Sequence, residues 1–339
     1  MQLLYEKLNL ILKKPSGTSR GILTEKETFI IKITRNGSTF FGETGLFRGL
    51  SHDDVENYEE ILKSTCENFD ASNENWWEEL REFPSIQFGL EQALKASEKP
   101  ENHNSYSPIL FESEFTKGKV GIPINGLIWM GDLEFMKDQI KDKLEDNFKC
   151  IKLKIGVKWK EEREILKQLR NEFSSQDLEL RVDANGAFSF EEAKIVLNEL
   201  AELEIHSIEQ PIKSKQIDNM AELCQITPTP IALDEELIGV TQLNKKIELL
   251  QKIKPQYIIL KPSLIGGWKG SHEWIDAAEE LNIGWWITSA LEGNIGLNAI
   301  AQWTFTLGNP MPQGLGTGSL FKNNFESKLK TIGDKLFYV

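Results

Sequence analysis

Five ionisable residues recur at nearly constant spacing in the second half of the chain: Lys154 in KLKIG, Asp183 in RVDANG, Glu209 in SIEQP, Asp234 in ALDEE and Lys261 in ILKPS. The separations are 29, 26, 25 and 27 residues, about one strand-plus-helix unit each. Each residue ends a short apolar run, and equivalent strand ends of a (β/α) barrel converge on one mouth. Three carboxylates gathered there would repel one another and raise each other's pKa. A divalent cation resolves that repulsion, and all-oxygen ligation by Asp183, Glu209 and Asp234 suits Mg²⁺, with Mn²⁺ as an alternative, rather than zinc. Taken singly, an Asp after a strand is usually a turn or helix cap, and a Lys at a strand end usually snorkels into solvent. Those readings explain five residues at one period, ordered K, D, E, D, K, poorly.

The elements that must position them follow from periodicity. From about residue 120 onward, seven apolar runs alternate with amphipathic stretches: 122–130, 150–156, 178–186, 205–211, 230–236, 257–263 and 283–290. The stretches between them, 132–147, 160–173, 190–203, 215–225, 241–252 and 271–281, carry charged faces and periodic Leu, Ile and Ala. This alternation predicts right-handed βαβ units around a parallel sheet, either doubly wound or closed into a barrel. Neither GxGxxG nor GxxxxGK[ST] is present, so nucleotide binding loses support. The N-terminal part differs. TFIIKIT (28–34), Asn36-Gly37 and Ser38–Gly42 predict an antiparallel hairpin, Ser51–Glu67 and Pro84–Ala96 predict helices, and 97–107 reads as a polar loop.

Composition excludes several classes. The 339 residues are 40% hydrophobic and 27% charged, which is ordinary for a globular chain and long enough for a large core. A net charge of −13 argues against nonspecific binding of nucleic acid or anionic membrane. Cys66, Cys150 and Cys224 are odd in number and far apart, so neither a disulfide framework nor a zinc site is expected. The start, MQLLYEKLNLILKK, lacks an apolar h-region, and no run is long enough to span a membrane. A cytoplasmic location is expected. His52, His103, His206 and His272 form no pair at metal-ligand or triad spacing.

At these residues the sequence resembles the enolase superfamily, in particular its muconate-lactonizing subgroup. Lys152-Leu153-Lys154 is similar to the family's KxK on the second barrel strand; Asp183, Glu209 and Asp234 match its metal ligands, and Lys261 its opposing lysine. The resemblance implies an α/β fold, a modified TIM barrel (β/α)7β with an N-terminal α+β capping domain. The cap would cover 1–115, with 312–339 packing back on it, and the barrel 116–311. It also implies catalytic roles for Lys154, Lys261 and Lys152 in abstracting a proton next to a carboxylate, and a small-molecule carboxylate as substrate; the oligomeric state stays open. Lys152 and the metal are expected to lower the pKa of Lys154, and Lys152 to help bind the substrate carboxylate.

Three segments narrow the resemblance to the o-succinylbenzoate synthase family: ILKPSLIGG, ITSALEGNIGLNAIAQ and QGLGTGSLFKNN. Ser289 and Glu292 keep their family places and are expected at the substrate. An N-acylamino acid racemase or dipeptide epimerase would use the same five residues, although the acidic DxD-type signature of the epimerases is missing near the last strand. A non-catalytic binding protein on this barrel would not need two opposed lysines around a carboxylate triad. In LKKPSGTSRGIL (12–23), Arg20 either meets the succinyl carboxylate on a closing loop or sits in solvent on a β-connection. Trp129, Trp285 and Trp286 read as core.

Overall fold

The computed structural model describes residues 1–18 and 21–339. Its first sheet is an antiparallel meander of β1 (Gln2–Thr18), β2 (Gly21–Arg35) and β3 (Ser38–Glu43). Asn36 and Gly37 turn β2 into β3 with φ of 51° and 79°. Both values lie in the left-handed region that a two-residue hairpin matching strand twist requires. Phe29, Ile31 and Ile33 alternate along β2 and are buried, with Leu3, against Tyr58, Leu62, Ile86 and Leu90 of helices Tyr58–Asn68 and Pro84–Ser97. Sheet and helix touch closely: a Cβ on Gly42 would lie 1.9 Å from the Gly89 carbonyl oxygen.

The first helix begins at Tyr58, seven residues later than the capping pattern at Ser51 predicts. The residues that read as caps are engaged elsewhere. Ser51 Oγ accepts from the Phe47 amide, Asp53 accepts from the Ser85 amide and hydroxyl, and Asp54 accepts from Arg48 and the Gly49 amide. Competition of this kind between short polar side chains and helix backbone is general.

After β4 (Ile122–Pro123), seven parallel strands follow in sequence order around a curled sheet. They are β5 (Gly126–Ile128), β6 (Cys150–Lys154), β7 (Glu179–Asp183), β8 (Ser207–Glu209), β9 (Ile231–Leu233), β10 (Tyr257–Leu260) and β11 (Gly284–Ile287). Each arises from one of the seven predicted apolar runs, and helices connect them. The side that faces the helices is fully apolar: Leu153, Val182, Ile208, Leu233, Ile258 and Ile287 have no exposed surface. An eighth, very short segment joins β11 to the first strand. Gly314 N donates to Ile287 O (2.8 Å) and its carbonyl accepts from Ser289 N (3.0 Å), while Asn125 N donates to Gln313 O (3.0 Å). No apolar run marks this segment, which follows Pro310 and Pro312, so the sequence pattern gives no strand there.

The tail then returns to the N-terminal sheet, with backbone bonds from Lys13 N to Leu320 O and from Lys322 N to Ile11 O, both 2.8 Å. It ends as a hairpin, β12 (Leu329–Ile332) and β13 (Lys335–Tyr338), paired with β4. The cap is fastened to the barrel flank as well. Arg81 binds both oxygens of Glu273 (2.9 and 3.0 Å), and Glu91 accepts from the Trp268 and Lys269 amides (2.5 and 3.0 Å).

Candidate active site

Strand alternation puts Lys152 and Lys154 on the inner face of β6 with Leu153 pointing outward. Lys154 pairs in register with Asp183, and Asp183 with Glu209. Opposite Glu209 stands Ala232, so Asp234 lies two residues further along its strand. Lys261 lies two residues further again along β10, a stagger of the kind that a closed barrel requires, and Thr288 follows Ile287, the partner of Leu260, level with Lys261. One strand-end layer therefore holds Lys154, Asp183, Glu209, Asp234 and Lys261, as their spacing predicts.

The five residues and Lys152 form an unbroken chain of ion pairs. Lys154 Nζ donates to Asp183 Oδ2 (2.8 Å) and to Asn185 Oδ1 (2.8 Å). Lys152 Nζ donates to Glu209 Oε2 (2.7 Å) and lies 3.7 Å from Asp183 Oδ2. Lys261 Nζ bonds Asp234 Oδ2 and lies 3.6 Å from Glu209 Oε1. The carboxylate side chains keep only 2% of their surface, against 11% for Lys154 and 13% for Lys261.

This burial makes the charges interact strongly. Glu209 is pushed up to about 7, first by burial and then by the Asp183 charge, with Asp234 adding to it. Burial also raises the Asp234 carboxyl. Asp183 moves down instead: burial opposes its charge, but Lys154, Lys152 and Lys261 outweigh it. Lys152 and Lys261 are held above their usual range for the same reason, acidic neighbours overcoming burial.

A divalent cation fits this donor set. Three buried carboxylates lie side by side on successive strand ends, Glu209 Oε1 has no hydrogen-bond partner although it is fully buried, and burial together with repulsion within the group drives Glu209 up. As the side chains lie, ammonium groups stand between the carboxylates, and among the described residues no three acidic, His or Cys groups gather around one point. A bound cation would therefore displace Lys152 and Lys261 from their present partners.

The cavity above the layer is walled by Phe47 and Leu50 of the cap, by Trp129 and Asn125, by Thr288, Ser289, Ala290 and Leu291 after β11, and by Gly314, Gly316 and Thr317. Lys152, Lys154, Asp183, Asn185 and Lys261 form its polar floor. Ser289 is on the wall. Its hydroxyl donates to Glu292 Oε2 (2.6 Å), and the Thr317 hydroxyl donates to it (2.9 Å). Glu292, also expected at the substrate, stands behind the wall with no exposed surface. Its oxygens are taken up by the Ser263 hydroxyl (2.5 Å), the Ser289 hydroxyl and the Ala290 amide (2.8 Å). Arg20 lies outside the described residues. Trp285 and Trp286 are buried as core, whereas Trp129 lines the cavity.

Two site residues escaped the sequence reading. Asn185, in DANG, reads as a turn residue and is one, with φ of 43°. The turn also aims its amide: the oxygen accepts from Lys154 and Nδ2 donates to Glu235 Oε1 (3.0 Å). Arg181, two residues before Asp183, plugs the barrel beneath the carboxylates. It bonds Glu179 Oε1 (2.7 Å) and Pro312 O (2.9 Å), and its guanidinium lies 4.3 Å from the Trp286 ring centre. Its inward register on β7 was the available signal.

The chain belongs to the enolase superfamily: the family described as enolase C-terminal domain-like matches residues 135–330, more than half of the sequence. Members of this superfamily generally use a divalent metal. Among relatives, the o-succinylbenzoate synthase of Desulfotalea psychrophila is 42% identical, covering 99% of this chain and 98% of that protein. That of Vibrio cholerae is 29% identical over 90% of this chain and 86% of its own length. The crystal structure of MenC from Desulfotalea psychrophila superposes with a TM-score of 0.84 at 39% identity, covering 99% of both chains. The muconate lactonizing enzyme of Pseudomonas putida shares the fold, with a TM-score of 0.81 at 20% identity over 99% of this chain and 93% of that one.

Proposed function

We propose that this chain is an o-succinylbenzoate synthase, a hydro-lyase that removes water from 2-succinyl-6-hydroxy-2,4-cyclohexadiene-1-carboxylate to give 2-succinylbenzoate in menaquinone biosynthesis. The observation that carries this reading is the 42% identity to the Desulfotalea psychrophila synthase along essentially the whole chain. The two lysine sides of the cup supply the chemistry. Asp183, Glu209 and Asp234 would hold Mg²⁺, which as a Lewis acid lowers the cost of extra negative charge on the substrate carboxylate.

Lys154 removes the proton alpha to the ring carboxylate. The C–H electrons enter the conjugated system, the ring C–O bond breaks on the same face, and the Lys154 ammonium returns its proton to the departing hydroxyl as water. Atoms and charge balance, and the ring becomes aromatic. Lys261 remains a cation facing the flattened ring, which stabilises the negative charge that develops there. The unequal surroundings of the two lysines support this division. Lys261 lies between two carboxylates that favour its protonated form, whereas Lys154 contacts one carboxylate and a neutral amide. Lys152, bonded to Glu209, stands at the cavity floor where the substrate carboxylate would enter.

Incubating the purified chain and Mg²⁺ with the cyclohexadiene substrate tests the reading. Loss of the diene with formation of 2-succinylbenzoate, abolished by chelator and restored by Mg²⁺, is expected; no product with the metal present would contradict it. A racemase reading has its own support in an N-succinylamino acid racemase of Thermus thermophilus, 35% identical over 45% of this chain and 39% of that protein. In it, the two lysines would alternate as bases. Inversion and deuterium uptake by N-succinyl amino acids in D₂O, at an efficiency exceeding dehydration, would favour it. A substrate with two carboxylates and the absence, among the described residues, of a helix long and apolar enough to cross a membrane fit a soluble metabolic enzyme.

A further inference from the structure

Two charged cap residues are buried against the barrel where a simple lid would need none. Lys26, on β2, is 3% exposed. Its Nζ donates to the carbonyl oxygens of Ala290 (2.8 Å) and Leu291 (3.0 Å), and both of those residues wall the cavity. Glu43, the last residue of β3, has no exposed surface. Its Oε1 accepts from Gly293 N (2.7 Å) and its Oε2 from Gly296 N (2.9 Å). Thr28 donates to it from the cap side (3.2 Å), and Gln92 clamps its backbone on both N–H and C=O (3.1 and 2.8 Å). The glycines make the insertion possible: a Cβ at position 293 or 296 would stand 3.0 or 3.1 Å from Glu43 Oε2.

Between these anchors the backbone passes through Leu291 at φ 61°. A branched non-glycine residue persists in that region only where its surroundings over-determine it. The barrel contributes the Ser289 hydroxyl, which accepts from Leu291 N (3.1 Å), and the Glu292 carboxylate, which accepts from Ala290 N (2.8 Å); the cap adds Lys26 on the two carbonyls and Glu43 on the two glycine amides. A buried ammonium bonded to two neutral carbonyls is an expensive way to dock a domain, but it fixes the direction of those two carbonyls.

We propose that Lys26 and Glu43 are positioning residues for substrate binding: they hold the 289–293 turn in its left-handed bend and so set the wall that Ala290 and Leu291 present to the substrate. The idea rests on the cup being the catalytic site. It assigns the cap a second action, exerted through the turn rather than by covering the mouth.

The test is Lys26→Met, which keeps length and removes the donor. KM for the cyclohexadiene substrate should rise about tenfold, with kcat changing less than about threefold, as expected for loss of a charged hydrogen bond acting on binding. Amide hydrogen exchange in 289–296 should accelerate, while exchange in the helix Pro84–Ser97 stays as in wild type. Leu291→Gly makes the bend cost-free, so in that background Lys26→Met should raise KM less than about threefold. Unchanged KM with activity lost only in proportion to folded protein, the same KM effect in both backgrounds, or unchanged exchange at 289–296 would each overturn the proposal. If Lys26→Met does not fold, Glu43→Gln is read by the same KM and exchange measurements, with the same directions expected and no change overturning it. A wild-type chain that fails to dehydrate the substrate contradicts the proposed function; hydrogen exchange of the variants then still decides the latch.

Discussion

On one side of the barrel mouth Lys154 meets the carboxylate of Asp183 and the neutral amide of Asn185; on the other, Lys261 lies against Asp234 and within 3.6 Å of Glu209. The residue type and the burial are nearly the same on both sides, and the second neighbour differs. A second carboxylate holds a proton on an amine, whereas an amide oxygen orients the amine with much less cost to its release. The contrast teaches that two lysines at equivalent strand ends can serve as a base and as a fixed charge without any difference in their own chemistry.

The comparison breaks most visibly at Lys154. Lys154→Ala removes the group to which the proposed mechanism assigns both proton transfers, so dehydration should fall by about 10⁴-fold or more, against the 10² to 10⁴-fold typical of one positioned acid–base group; product formation by absorbance measures it. Next comes Glu209→Gln, which takes a charge from the centre of the carboxylate set. It should weaken Mg²⁺ binding and activity together, by about 10²-fold, read by metal titration and turnover on one sample. Full activity in metal-stripped wild type would end the metal assignment.

Asn185→Asp sharpens the contrast by giving Lys154 the second carboxylate that Lys261 has. Turnover at neutral pH should drop about tenfold and recover as pH rises, because the extra charge stabilises the protonated amine and must be overcome to free it. A pH–rate profile identical to wild type would show that the amide's neutrality is unimportant. The smallest effect is expected at Arg20, outside the described residues. Arg20→Met should raise KM severalfold with a lesser change in kcat if it meets the succinyl carboxylate, and kinetics equal to wild type would place it in solvent.

Lys154, Lys261 and the three carboxylates were legible because each ends one strand–helix unit, and a barrel brings equally spaced strand ends to one mouth. Asn185 was hidden by doing two things at once, since DANG is a turn signature whatever its amide contacts. Trp129 read as core because an aromatic in an apolar run normally is; here the strand carries it past the packed layers to the cavity. Lys26 and Glu43 were unreadable for a different reason. Their partners lie 250 to 265 residues away, and a lysine bonded to backbone carbonyls leaves no complementary residue type to search for. The short segment at 313–314 shows the same limit, and at Tyr58 the distant Asp53–Ser85 bonds add to local bonds of Ser51 and Asp54 that compete with the helix.

The most direct test of the two-sided site is a side-by-side assay of Lys154→Arg and Lys261→Arg on the cyclohexadiene substrate. Both replacements keep a cation, but guanidinium stays protonated at any working pH and cannot act as a base. No detectable dehydration is expected from Lys154→Arg, and a reduced but measurable rate from Lys261→Arg, where a charge alone suffices. Dehydration by Lys154→Arg at a rate equal to or above that of Lys261→Arg would contradict the two-sided site.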